Sequence, residues 1–222
     1  MEIIAHIYTD FTEKFGIPRQ SGLVEELEGK IVFEPPYRNP DAFQGLEEFS
    51  HIWILWQFSE HTKKQWSATV KPPRLGGNRK KGVFATRSPF RPNHIGLSSV
   101  RLEKIEYTDK EGPVLYVRGA DLLSETPILD IKPYLAYTDS HPEATSGFAA
   151  KGMEHMLRVE FGEGLLQLIP EDKREALIRV LAQDPRPAYQ NEPDRHYGVA
   201  FAGFDVHFHV RDDVLEVYEI VK

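Results

Sequence analysis

The sequence predicts an α+β protein with a mostly antiparallel β-barrel in its N-terminal part and a small C-terminal α/β domain. Three observations carry this prediction. Short apolar runs punctuated by Gly and Pro recur from Glu2 to Arg118; one amphipathic segment at 170–182 has the period of a helix; and the final segment alternates apolar and polar residues in period two. At 222 residues the chain exceeds the usual single-domain size, which allows two cores, and the turn-rich stretch at 140–151 suits a boundary between 1–145 and 146–222. A hydrophobic fraction of 41%, with 13 Phe, 9 Tyr and 3 Trp, supplies the apolar surface for both.

In chain order, Glu2 to Tyr8 is apolar at Ile3, Ile4, Ala5 and Ile7 and reads as a first strand. Leu23 to Leu27 and Lys30 to Phe33 follow around the turn residue Gly29. Pro40 to Phe49 fits a short helical turn. His51 to Phe58 is then apolar on both faces, as a central strand is, so Trp53 and Trp56 are expected in packing and not in base stacking. Gly82 to Thr86, Leu97 to Tyr107 and Val114 to Arg118 complete a set whose spacing suits a closed barrel. Residues 140–151 are small, polar and turn-rich, as a linker is. Beyond them Met156 to Phe161 reads as a strand. The segment from Pro170 to Ala182 reads as a helix with Leu177, Val180 and Leu181 on one face, and two or three strands across 197–210 and 214–221 pack against it.

Composition removes whole classes of function. Without cysteine there are no disulfides, thiolate nucleophiles or cysteine-based metal sites. The N-terminus has no basic segment followed by an apolar core, and no apolar run approaches the roughly 18 residues that span a bilayer, so no membrane partner and a cytoplasmic location are expected. No G-x-S-x-G elbow and no G-x-G-x-x-G fingerprint occurs. His207 and His209 would share a strand face, but no third ligand is evident, so no metal is expected and Val206, Phe208 and Val210 are read as the buried face of that strand.

The net charge of −7 is unevenly distributed. Between Lys63 and Lys104 stand eleven Lys and Arg against one Glu, a local +10, which leaves sixteen bases against thirty-three acids, −17, elsewhere. Such asymmetry suits a protein with one face toward a polyanion, although a basic loop paired with acids elsewhere in the fold would also account for it. Within this stretch Pro89 and Pro92 fix φ and bias Ser88 and Arg91 toward extended backbone. The loop is therefore stiff, and Arg87 and Arg91 project from it with little entropy left to lose on gripping a carboxylate or phosphate. Spacing alone leaves open whether they do so or are ordinary surface charges beside a proline-rich turn.

The stretch Arg87-Ser-Pro-Phe-Arg-Pro-Asn-His-Ile-Gly-Leu-Ser98 resembles the signature of the bacterial and archaeal family of tRNA adenosine-37 N6-methyltransferases, which are small β-barrel proteins. Four further segments resemble that family in the same order: Phe15 to Leu23, Gly45 to Ile54, Pro72 to Asn78 and Asp121 to Tyr134. The resemblance covers about residues 1–145, and the remainder is similar to the C-terminal domain of the longer bacterial form.

It implies S-adenosylmethionine as cofactor, the anticodon loop of a tRNA as partner and a homodimer. The modified group is N6 of an adenosine that already bears a threonylcarbamoyl group. The cofactor pocket is implied at Pro18, Arg19, Gln20, His61, Thr62, Arg91, Asp121, Leu122, Leu123 and Ser124. Arg91 would hold the methionine carboxylate, and Asp121 or its loop carbonyls would accept from adenine or ribose. Lys80, Lys81 and Arg87 are the residues expected to face the tRNA. Candidates for a side-chain base are Asp121, Asp130 and His94, while Lys132 is as readily a structural partner of Asp130 as a tRNA contact. The alternative reading is a non-catalytic RNA-binding barrel that uses the same basic segment without a cofactor.

Overall fold

The computed structural model describes residues 1–59, 65–72, 79–150, 156–186, 192 and 195–222. Its first half contains β1 (Ala5–Thr9), β2 (Glu28–Phe33), β3 (His51–Gln57), β4 (Thr69–Val70), β5 (Lys81–Gly82), β6 (Ile95–Thr108), β7 (Gly112–Arg118) and β8 (Thr126–Pro133). Six of these close an antiparallel barrel in the order β1-β2-β7-β6-β3-β8, with β1 bonded on both sides and no free edge. Alternation along each strand sends Ala5, Ile7, Ile31, Ile52, Ile54, Val100, Leu115, Val117 and Ile128 into one core, all at or below 1% exposure. β4 and β5 form a separate two-stranded ribbon.

A short α1 (Ala136–Asp139) precedes the second unit, which contains β9 (Arg158–Phe161), α2 (Glu171–Ala182), β10 (Tyr197–Phe201), β11 (Phe204–Arg211) and β12 (Val214–Val221). The four strands form a sheet in the order β10-β11-β12-β9, with β9 parallel to β12. Pro170 precedes α2, and Glu171 and Asp172 occupy its first turn, where acids offset the positive end of the helix dipole. The helix buries Ala176, Leu177, Val180 and Leu181 against the sheet, where Val206, Phe208 and Val210 are buried as the alternation requires.

This second core also takes in Phe11, Val24 and Leu27, which lie between β1 and β2. The Phe11 ring meets Phe201 edge-on at 5.5 Å. Close approach at the same place demands Gly16, which sits at φ +97° and whose missing Cβ would lie 2.7 Å from a methyl of Val199.

Leu23 to Leu27 does not form a strand: Val24 and Leu27 are spaced for burial in the second core, and the ladder begins at Glu28. The strand expected over Gly82 to Thr86 stops at Gly82 and continues as a 3-10 turn, Val83–Ala85, closed by the Thr86 hydroxyl donating to the Val83 carbonyl at 2.8 Å. Trp53 stands on the barrel face opposite Ile52 and Ile54, half-buried against Tyr134 at 5.4 Å, with its indole N–H donating to Asp139 at 2.8 Å. Asp130 pairs with Lys132 at 2.7 Å and accepts from the Ile131 amide at 2.9 Å, so these charges pin their own strand. Among the described residues no helix is long and apolar enough to cross a membrane, and no group of three His, Asp or Glu is placed to hold a metal ion.

Candidate active site

Three connections converge at one end of the barrel. The β7–β8 loop, 119–125, is bonded to the β1–β2 connection by Gly22 N–H to Gly119 O (2.9 Å), Ser124 N–H to Phe11 O (2.8 Å) and the Thr9 hydroxyl to Leu122 O (2.9 Å). The β5–β6 connection carries the proline-rich motif. Between them opens a cleft of about 160 Å³, lined by Lys14, Ile17, Trp56, Phe58, Pro89, Asp121, Leu122, Leu123 and neighbouring residues.

Asp121 is the one carboxylate on the described wall of this cleft. Its Oδ1 accepts from the Ser98 hydroxyl at 2.7 Å, and Ser98, 1% exposed, accepts in turn from the Trp56 indole N–H at 3.0 Å. Burial holds the Asp121 carboxyl above the usual aspartate range, against the opposing pull of the Ser98 hydroxyl, its own and the Ser21 backbone N–H groups, and the charge of Arg87. The Trp56 and Phe58 rings meet at 4.3 Å and form an aromatic wall near the acid. A carboxylate beside aromatic faces is a chemical match for a sulfonium cation, so these residues fit S-adenosylmethionine.

The residues implied as cofactor contacts are only partly gathered here. Asp121, Leu122 and Leu123 line the cleft, and Ser124 sits behind it, its hydroxyl accepting from the Thr9 amide at 3.3 Å. Pro18 is buried, and its neighbour Ile17 lines the cleft. Arg87 donates to the Gln20 side-chain carbonyl, Gln20 donates to the Arg19 carbonyl, and Arg19 reaches the Arg186 carbonyl at 3.4 Å. Arg87 therefore belongs to the same chain of contacts as Arg19 and Gln20. His61 and Thr62 lie outside the described residues, as do Lys63, Lys64 and Arg74.

Arg91 braces its own loop: one Nη donates to the Thr86 carbonyl at 2.6 Å and the Val83 carbonyl at 3.2 Å, and the guanidinium lies 5.7 Å from the Phe84 ring centre. Five N–H donors are available on a guanidinium, so this bracing leaves others for a ligand. His94 closes the motif from the other side, its Nδ1 donating to the Pro89 carbonyl at 2.7 Å. Neither His94 nor Asp130 lines the cleft. Lys80 is exposed, and the Lys81 ammonium lies 5.4 Å from the Phe148 ring, tying the basic segment to the 3-10 turn Gly147–Ala150.

Sequence reasoning places Trp56 in packing and has Ser98 as the last residue of the signature; the structure puts both beside Asp121. The signal for this lies in Gly96, opposite Trp56 in the β3–β6 register. A Cβ there would fall 2.2 Å from the indole ring, so the glycine marks where the tryptophan enters.

A closed antiparallel barrel with a cation-suited cleft at one end, in place of a nucleotide-binding α/β sheet, defines the class of β-barrel methyltransferases. Family models agree. The model described as the tRNA-methyltransferase O N-terminal domain matches residues 6–140, and that described as the TrmO C-terminal domain matches 154–222; the chain belongs to the tRNA-methyltransferase O family. It is 42% identical over 227 residues to the tRNA (adenine(37)-N6)-methyltransferase of Escherichia coli (strain K12), covering 99% of this chain and 96% of that protein. A Pseudomonas aeruginosa protein bearing the name of an S-adenosylmethionine-dependent methyltransferase is also 42% identical, over 98% of this chain and 95% of its own. The crystal structure of TrmO from Pseudomonas aeruginosa superposes with a TM-score of 0.80 at 36% identity, covering 100% of this chain and 97% of that one.

Proposed function

We propose that this chain methylates N6 of the adenine at position 37 of tRNA, using S-adenosylmethionine, and that the adenine already carries a threonylcarbamoyl group on that nitrogen. The observation that carries this reading is Asp121, half-buried on the cleft wall beside Trp56 and Phe58 and bonded by Ser98. Bound there, S-adenosylmethionine supplies an electrophilic methyl group on a sulfonium. The methyl group would pass to the N6 lone pair, with the C–S electron pair leaving on sulfur. The N6 proton passes to Asp121. Because the threonylcarbamoyl group makes that N–H part of a urea, it is more acidic than an adenine amine, and a carboxylate held above its usual pKa is an adequate acceptor. Most of the acceleration comes from alignment of the reacting atoms.

Residues 18–20, 61, 62, 91 and 121–124 hold the cofactor in this reading, with Arg91 toward the methionine carboxylate. Lys80, Lys81 and Arg87 meet phosphates of the anticodon loop. The protein acts as a cytoplasmic homodimer, with the barrel domain at 1–145 and the small domain at 146–222.

Mass spectrometry of tRNA nucleosides after incubation with the protein and methyl-labelled S-adenosylmethionine tests the reading. Label in a threonylcarbamoyl-adenosine product is expected. Absence of label, together with no thermal stabilisation by S-adenosylmethionine, would leave the non-catalytic RNA-binding barrel instead, since a ligand specific for the folded state raises its stability by mass action.

A further inference from the structure

We infer that Trp56 and Ser98 are positioning residues that hold Asp121 with Oδ1 as a fixed acceptor, so that the proton leaving N6 arrives on Oδ2. The inference rests on the proposed role of Asp121 as proton acceptor. It follows from the order of donors in the chain Trp56, Ser98, Asp121.

An indole N–H can only donate, and an ionised carboxylate can only accept. Ser98 stands between them with a single proton. Trp56 Nε1 lies 3.0 Å from Ser98 Oγ and occupies one of its lone pairs, so the hydroxyl proton turns to Asp121 Oδ1, 2.7 Å away, the short distance of a charge-assisted bond. Ser98 is 1% exposed, so no bulk water offers its proton another acceptor. Protonating Oδ1 would set two donors against each other and strand one of them in a dry site. Oδ2 carries no such conflict with Ser98; the Asp121 and Ser21 backbone N–H groups and the charge of Arg87 also act on the carboxyl, all favouring its ionised form.

The backbone builds this unit deliberately. Ser98 and Gly96 lie on the same inward face of β6, and Gly96 is directly opposite Trp56. Gly96 leaves the space the indole ring fills, since a Cβ there would sit 2.2 Å from it. The β3–β8 pairing shifts register beside it, where Leu129 of β8 is left without a partner between Leu55 and Trp56, while the β3–β6 register runs unbroken through Trp56. The Gly96-Leu-Ser98 end of the motif thus receives the flat of the indole at one position and its N–H at the next inward one.

The test uses the full chain with Ser98→Ala, Ser98→Thr, Trp56→Phe and Asp121→Asn. Single-turnover methylation of tRNA is followed across pH at saturating cofactor, S-adenosylmethionine affinity is measured by calorimetry, and tryptophan fluorescence is titrated against pH without ligands. Ser98→Ala is expected to slow the plateau rate about tenfold and to move the acid limb upward by roughly half a pH unit or more, because the carboxylate loses a stabilising donor. Cofactor affinity above the acid limb stays within about twofold, because Ser98→Ala leaves the Asp121 charge in place beside the sulfonium. Ser98→Thr restores the limb. The fluorescence transition that reports Asp121 ionisation moves upward in Ser98→Ala and disappears in Trp56→Phe and Asp121→Asn. If Asp121→Asn abolishes methylation while Ser98→Ala leaves rate, limb and fluorescence transition unchanged, the positioning role is overturned and the role of Asp121 stands. If Ser98→Ala weakens cofactor binding with the limb unmoved, Ser98 is pocket wall and the inference fails. An Asp121→Asn enzyme as fast as the wild type overturns the proton acceptor and the inference with it.

Discussion

Lys173 on α2 donates to Asp10 at the end of β1 across 2.9 Å, with side chains only 18% and 17% exposed. The same ammonium reaches Glu28 at 2.9 Å, and Glu28 bonds Arg118 at 3.1 Å, so one cation ties the C-terminal helix to three strands' worth of barrel charge. Removing one partner of a largely buried pair leaves the other uncompensated. Lys173→Met is therefore expected to lower unfolding free energy by roughly 1–3 kcal/mol in denaturant titrations at neutral pH. Burial acts to lower the Lys173 pKa, but the bonds to Asp10 and Glu28 outweigh it and the net shift is upward. A raised lysine contributes stability that is complete below the usual lysine value and is lost as pH rises through the folded one. The difference between wild type and Lys173→Met should accordingly shrink only in strongly alkaline solution.

Phe11 belongs by sequence to the barrel and by packing to the second core, where it is fully buried against Phe201. Phe11→Ala should cost about 3–5 kcal/mol, the range for emptying a buried aromatic site. The check is whether both units lose stability together. A single cooperative transition at lower temperature is expected, because the affected connection also carries the bonds from Thr9 and Phe11 to the 119–125 loop. Two separated transitions would show that the shared core does not couple them.

How legible these features are depends on whether burial follows local periodicity. β3 announces itself because Ile52 to Trp56 is a short run apolar on both faces, and α2 because Leu177, Val180 and Leu181 recur at helical spacing. Val24 and Leu27 mislead: their apolar character answers to a core assembled from residues more than a hundred positions away, which no local period encodes. The same holds for the site. Pro89, Pro92, Arg87 and Arg91 mark a stiff basic loop on their own, yet the bracing of Arg91 by the Val83 and Thr86 carbonyls depends on a 3-10 turn that the run Gly82 to Thr86 disguises as a strand. Ser98 becomes informative only once the β3–β6 register sets Gly96 opposite Trp56.

Asp121 should trade stability for activity. Its carboxyl is held above the usual aspartate range chiefly by burial, so the folded state binds a proton more tightly than the unfolded chain does. For such a group the ionised form penalises folding above the folded pKa, and the penalty fades as pH falls toward the usual aspartate value. Asp121→Asn is then expected to be more stable than wild type near pH 7, by roughly 1 kcal/mol of unfolding free energy, with the gap closing in acid. Methylation by the variant should fall by two to four orders of magnitude, roughly the contribution of a positioned base. A variant whose advantage over the wild type is no larger at pH 7 than in acid would show that desolvation of this carboxylate is not what the fold bears.

The charge asymmetry makes a prediction about salt. Lys80 is exposed, Lys81 reaches across to Phe148, and both lie in the stretch that carries the local excess of eleven bases over one acid. Each phosphate contact neutralised in a complex releases condensed counterions, so the logarithm of tRNA affinity falls with the logarithm of salt in proportion to the number of contacts. Lys80→Gln and Lys81→Gln together should flatten that slope by about 1.5 and weaken binding at low salt, with little change at high salt. Neither residue lines the cleft around Asp121, so S-adenosylmethionine affinity measured by calorimetry should be unchanged. An unaltered slope would move the RNA to another face, and a loss of cofactor affinity would mean that the β4–β5 ribbon supports the cleft instead of the polyanion.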